Sequence, residues 1–190
     1  MKSTSGQSLV EFALLLPLIL VLSLGVTEVG YALLDQHVVT KLTREGSNLI
    51  SRDTSISDAV TALGGMSTRP VNFTSGSKVI FSVLKNVNTI GAANYNHVVL
   101  YQRYTYGTAG FATPSAINAS GGSFGGPPDY QAANSDNDTS LRLVSPPPNV
   151  AVPLGGLMYV TEIYSAHTLL TPLDRFGIEL PTHLYSVAYF

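Results

Sequence analysis

From Leu9 to Val26 the chain reads LVEFALLLPLILVLSLGV, 18 residues with a single charge, Glu11. At 1.5 Å per helical residue this run is just long enough to cross about 30 Å of hydrocarbon. A helix apolar on every side belongs in a large core or in a bilayer, and 190 residues leave room for only one modest domain beside it. The bilayer is therefore the expected solvent. Pro17 removes a backbone hydrogen bond that a soluble helix would miss; membrane helices tolerate it, which makes it the candidate helix kink. Glu11 is harder to place. A charge in lipid costs roughly 2.5–3.5 kcal/mol on insertion scales, so an acid at the membrane edge calls for a function and a partner.

Beyond this run the hydrophobic pattern turns periodic. Tyr31, Leu34, Val38, Leu42, Gly46, Leu49, Asp53, Ile56, Val60 and Leu63 step by three or four, one face of a helix that is imperfect at Gly46 and Asp53. Asp35, Lys41, Arg44, Glu45 and Arg52 fall off that stripe. The helix is expected to continue from the apolar run and to end at LGGMSTRP, where Gly64, Gly65 and Pro70 are stop signals. After Pro70, β-branched and aromatic runs alternate with turn formers, predicting strands over 78–87, 97–106, 157–167 and 183–190. Between the second and third lies a connection of about 50 residues, 107–156, read as a surface excursion with SLRLV as a short strand. Nine of the ten Tyr lie at or beyond Tyr95, where a sheet face can use them. The expected fold is α+β, a long N-terminal helix packed on a small antiparallel sheet. Its first half, residues 7–30, spans the membrane; its second, 31–64, is amphipathic; 71–190 form an exported β-rich domain.

The rest of the composition narrows function by exclusion. A formal net charge of -2 and scattered Lys and Arg argue against nucleic-acid binding. Without cysteine there is no disulfide, thiolate chemistry or Cys-ligated metal, and an exported domain needs no oxidation step. GGSFG (121–125) satisfies G-x-S-x-G, but GPPDY follows and forbids the helix a nucleophilic Ser123 requires. His37, His97, His167 and His183 show no metal-binding spacing, His37 being placed on the polar side of the helix and the others in strands or loops. Asn134, Asp136 and Asp138 alternate as calcium ligands do, yet the sixth-position Gly is missing and the twelfth position is Ser145, so a solvated turn is the preferred reading over calcium binding at 134–140. Sequons at Asn72, Asn118 and Asn137 are short enough to arise by chance. No cofactor and no catalytic site emerges.

Three readings of the N-terminus compete. A secretory signal peptide needs a basic n-region and a small-residue cleavage site; Lys2 is the only basic residue, and GVTEVGYA serves poorly. A plain anchor with an interfacial Glu11 leaves STSGQSLVE without meaning. The third is a processed leader: residues 1–6 end in Gly6, a polar Gln7 follows, and Glu11 stands five positions after the glycine. With Phe12, Ala13, Pro17, Gly30, Tyr31, Arg44, Glu45 and Gly46, this segment resembles the TadE-like family of tight-adherence (Flp, type IVc) pilus proteins, and YVTEIYSAHTLLTPL resembles that family's later strand and Pro-containing loop. The resemblance implies cleavage between Gly6 and Gln7 by a prepilin peptidase, residence in the bacterial inner membrane with the C-terminal domain outside, and packing of the N-terminal helix against other pilins or pseudopilins. It also implies that the new Gln7 amine pairs with Glu11, of its own helix or of a neighbour, to set register beside Phe12; two unit charges about 4 Å apart attract by roughly 4 kcal/mol at an effective dielectric near 20, before desolvation. The exported domain exceeds what a major fibre subunit carries, which points to a minor pilin, an initiation factor or a tip protein. The rival expectation is a single-pass envelope domain that binds a ligand or partner and never enters a filament.

Overall fold

The computed structural model of the chain describes residues 5–144 and 151–190. Helix α1 spans Ser5–Ser51 without interruption at Pro17. It is followed by α2 (Ile56–Met66) and by strands β1 (Ser77–Asn86), β2 (Val98–Thr108), β3 (Leu157–Ala166) and β4 (His183–Tyr189). The strands form one antiparallel sheet in the order β2-β1-β3-β4, with Phe81 of β1 opposite Tyr104 and Thr161. The α+β architecture of a long apolar helix on a small antiparallel sheet is thus the one expected, and the four strands lie within two residues of their predicted limits.

The helical region differs from expectation in two ways. The stripe read as one helix to Leu63 is divided after Ser51. Asp53 takes a left-handed conformation (φ 59°), one that Asp tolerates better than most residues, and the chain restarts at Ser55, whose hydroxyl accepts the Asp58 amide at 3.1 Å. The stripe is also rotated at its start. Tyr31 and Leu34 face outward, whereas Asp35, expected off the stripe, turns in toward the domain. The buried face runs instead through Glu28, Val39, Leu42, Thr43, Gly46, Ser47 and Ile50. Small residues carry it because the helix lies close on the sheet: Ser47 Oγ donates to the Ala188 carbonyl at 3.0 Å, and a Cβ on Gly46 would stand 2.8 Å from Thr161 Cγ2.

Both faces of the sheet are covered. Val79, Phe81 and Val83 of β1 meet α1 and α2 through Val39, Leu42, Ile50, Ile56, Ala59 and Leu63. On the opposite face, Leu84, Leu100, Met158 and Val160 are covered by Ile117 and Val152 from the long connection between β2 and β3. That connection is therefore a third layer and not a surface excursion. Its predicted strand SLRLV is instead a 3-10 turn (Thr139–Leu141) followed by single bridges, because Asp138 caps the turn by accepting from Ser140 N at 3.0 Å. The connection also shields the free edge of β2: Ala132 N donates to the Tyr101 carbonyl at 2.8 Å and Leu143 N to that of Val98 at 3.2 Å.

Candidate functional site

The N-terminal half of α1 stands clear of the domain. No side chain from Gly6 to Thr27 is buried, and the first that is, at 1% exposure, is Glu28. A helix with this composition and no protein partner is stable only where backbone and hydroxyl groups are satisfied internally. Ser23 Oγ donates to the Ile19 carbonyl at 2.8 Å and Thr27 Oγ1 to the Ser23 carbonyl at 2.9 Å, so both hydroxyls are satisfied within the helix. Of the candidate processing and assembly residues, Gly6, Gln7, Glu11, Phe12 and Pro17 all lie exposed on this projecting segment. Gln7 Nε2 donates to Glu11 Oε1 at 3.1 Å, one helical turn apart. Leader residues 1–4 lie outside the described residues.

At the other end of the apolar span a second acid is bound by the domain. Glu28 is 17 residues from Glu11, about 25 Å along a helix and close to the hydrocarbon thickness. Its carboxylate accepts the Leu170 amide at 3.0 Å, the Thr171 amide at 2.8 Å and the Thr171 hydroxyl at 2.7 Å. His167 lies between this acid and the next: Nδ1 is 2.8 Å from Asp35 Oδ2, and Nε2 is 3.7 Å from Glu28 Oε1. Two acids of the helix and one loop thereby form a buried polar joint where α1 leaves the apolar span. Sequence reasoning missed this joint. Its signals were an acid inside an apolar context, VTEVG, and a histidine directly after a strand, SAHTLL; neither spacing reveals that the two meet across more than 130 residues.

A second buried acid, Glu162 of β3, organises the sheet face under the long connection. It accepts from the Ala116 amide at 2.7 Å, from the Tyr185 hydroxyl at 3.0 Å and from the Ser115 hydroxyl, and lies 3.9 Å from the Arg103 guanidinium. Burial, and next the Glu162 charge, push the Tyr164 phenol up to about 12 and the neighbouring Tyr185 phenol up as well. The network ties the connection to the sheet.

The remaining candidates are scattered over the domain and α1. Asp136 takes a hydrogen bond from Thr89 at 2.7 Å and pairs with Lys85 Nζ at 3.1 Å, and these contacts hold its carboxyl below the usual range. Asn134 accepts the Asp138 amide through its carbonyl, so the NSDND segment is a pinned turn; Ser145 lies outside the described residues. Ser123 sits in a loop beside a single bridge at Phe124, with no strand-turn-helix around it. His37 is exposed on α1, and His183 packs against Phe111 at 4.0 Å between ring centroids.

Residues 6–48 match the family model described as TadE-like protein. The matched segment runs from the exposed Gly6 through the apolar span and Glu28 to the small-residue face at Gly46 and Ser47, so the N-terminal helix is TadE-like as its residues indicated. No curated protein and no solved structure matches the chain.

Proposed function

We propose that this chain, with its TadE-like N-terminal helix, is a non-enzymatic minor pilin or pseudopilin of a Tad-type pilus. A prepilin peptidase removes residues 1–6, the helix anchors the protein in the inner membrane, and the domain stands outside, where it acts in pilus initiation, assembly or at the tip. The observation that carries this reading is the bare apolar helix: from Gly6 to Thr27 it makes no buried contact with its own domain, and Glu11 is its single charge. A surface of that kind is left free for lipid and for other helices. Glu11 has a defined part in it. In the uncleaved chain the Gln7 side chain occupies its carboxylate; cleavage adds an ammonium at the same turn, which neutralises the acid in its own helix or in a neighbour.

The test is the intact mass of the mature protein with piliation scored in parallel. Loss of residues 1–6 is expected for the native chain, retention of them for Gly6→Ala, and normal processing without pilus assembly for Glu11→Ala. A mature protein that keeps its leader while pili form normally overturns the reading. In that case the single-pass envelope domain that binds a partner without entering a filament takes its place.

A further inference from the structure

A groove at the foot of the domain, about 380 Å³ in volume, lies where α1 leaves the apolar span. Val29, Ala32 and Leu33 of α1 form one wall, Leu169, Leu180 and Leu184 the other, and Glu28 with His167 marks its polar end. Since the Glu28 carboxylate is already engaged by Leu170 and Thr171, the accessible lining is almost wholly hydrocarbon. Apolar walls of this kind are costly to leave against water, by roughly 25 cal/mol for each Å² of apolar surface. The groove is also continuous with the lipid-facing surface. Val29 and Leu33, which line the groove, are 52% and 67% exposed and prolong the apolar span.

We propose that this groove takes the acyl chain of a bilayer lipid, seating the foot of the domain in the outer boundary of the membrane that α1 crosses. The inference rests on the membrane-spanning reading of α1 and adds a lipid-binding site to it. A chain threaded between Ala32 and Leu184 covers apolar surface that would otherwise meet water, and it holds the polar joint at a fixed depth.

The chain has no tryptophan, so a single one is a clean reporter. The full chain carrying Leu180→Trp is reconstituted at high dilution into phosphatidylcholine and phosphatidylglycerol vesicles whose acyl chains are brominated near the head group. Leu20→Trp within the span and Ile90→Trp on a loop, where the native side chain is 86% exposed, are the references. Leu180→Trp is expected to lose about half of its emission, as a ring 5–10 Å below the head groups would, while Ile90→Trp is unaffected. Adding Ala32→Phe, which fills the groove, is expected to restore the Leu180→Trp emission. Quenching that survives Ala32→Phe, or a Leu180→Trp no more quenched than Ile90→Trp, overturns the proposal; Leu169→Trp repeats the measurement from a second position should Leu180→Trp fold poorly. An emission change seen only at high protein-to-lipid ratio assigns the groove to a neighbouring copy and likewise overturns it. If Leu20→Trp is itself unquenched, the membrane-spanning reading has failed instead.

Discussion

Two residues of α1 decide how the helix meets the domain, one by charge and one by size. Glu28 is the sole acceptor given to the Leu170 and Thr171 amides and to the Thr171 hydroxyl among the described residues. Glu28→Ala would bury three donors unpaired, at a cost of about 3 kcal/mol, because an unmade buried hydrogen bond costs more than a made one contributes. Glu28→Gln keeps a carbonyl acceptor but turns an amide NH2 toward one donor, and it is expected to lose less. Thermal unfolding of the full chain in detergent, followed by near-ultraviolet circular dichroism, separates the two; equal midpoints for Glu28→Ala and the native chain would sink the joint. Gly46 acts through space. Its Cβ would stand 2.8 Å from Thr161 Cγ2 and 3.2 Å from Phe81 Cε1, whereas a Cβ on Gly64 in α2 meets nothing within 4 Å. Replacing a helical glycine by alanine ordinarily gains roughly 0.5–1 kcal/mol, so Gly64→Ala is expected to stabilise by that much. Gly46→Ala is expected to destabilise by about 1–3 kcal/mol through overpacking. The opposite signs of one chemical change, read from denaturant midpoints, test whether the helix lies as close to the sheet as described.

Among the elements, α2 is the one most dependent on a single side chain. It has 11 residues, too few for a stable helix by itself, and it docks through Ile56, Ala59 and Leu63. Ser55 starts it by accepting the Asp58 amide and donating to the Asp58 carboxylate at 2.7 Å. Ser55→Ala is expected to cost about 1 kcal/mol. Faster amide exchange confined to 56–66 is the measurement; uniform exchange across α1 and α2 would show that the cap does not act locally. The break before Ser55 was only half legible in the chain. Asp53 already interrupted the apolar periodicity, but periodicity records which positions are apolar, and a left-handed residue is a backbone event that leaves the stripe in phase on both sides. The strands were legible because β-branched and aromatic runs end in turn formers, and the apolar span because 18 residues carry a single charge. The rotation of the buried face was not legible. Scoring Tyr31 and Leu34 as core assumes that water is the alternative, and near a membrane the outward face is apolar too. For the same reason Glu28 was passed over: an acid in grease reads as a boundary until its partners, 142 and 143 residues away, are in place. The long connection hid its role because its buried anchors, Ile117, Leu141 and Val152, are spread over 36 residues of turn-forming sequence, and the short apolar runs around Leu141 and Val152 do not say which sheet face they cover.

For the whole molecule, the polar joint divides α1 into an exposed apolar part and a part packed on the domain, and the boundary is sharp enough to cut. From Gly6 to Thr27 no side chain is buried, while the residues from Val39 onward supply one wall of the core. A fragment beginning at Gly25 keeps Glu28, Asp35 and every core residue of the helix. It is expected to unfold cooperatively in dilute detergent with the native signature, having lost only apolar surface that the domain does not bury. A fragment beginning at Gln36 keeps the core wall but lacks both acids, leaving His167, Leu170 and Thr171 facing a missing partner. Its expected deficit is about 3 kcal/mol relative to the longer fragment, on the cost of breaking a buried polar network by removing one side. The damage should be local at first: limited proteolysis is expected to cut near Leu169 and Leu170 in the shorter fragment and to spare them in the longer. Should both fragments unfold at the same denaturant concentration with the same cleavage pattern, the domain does not need the helix above Gln36. The joint at Glu28 would then be an incidental contact, with no part in holding α1 to the domain.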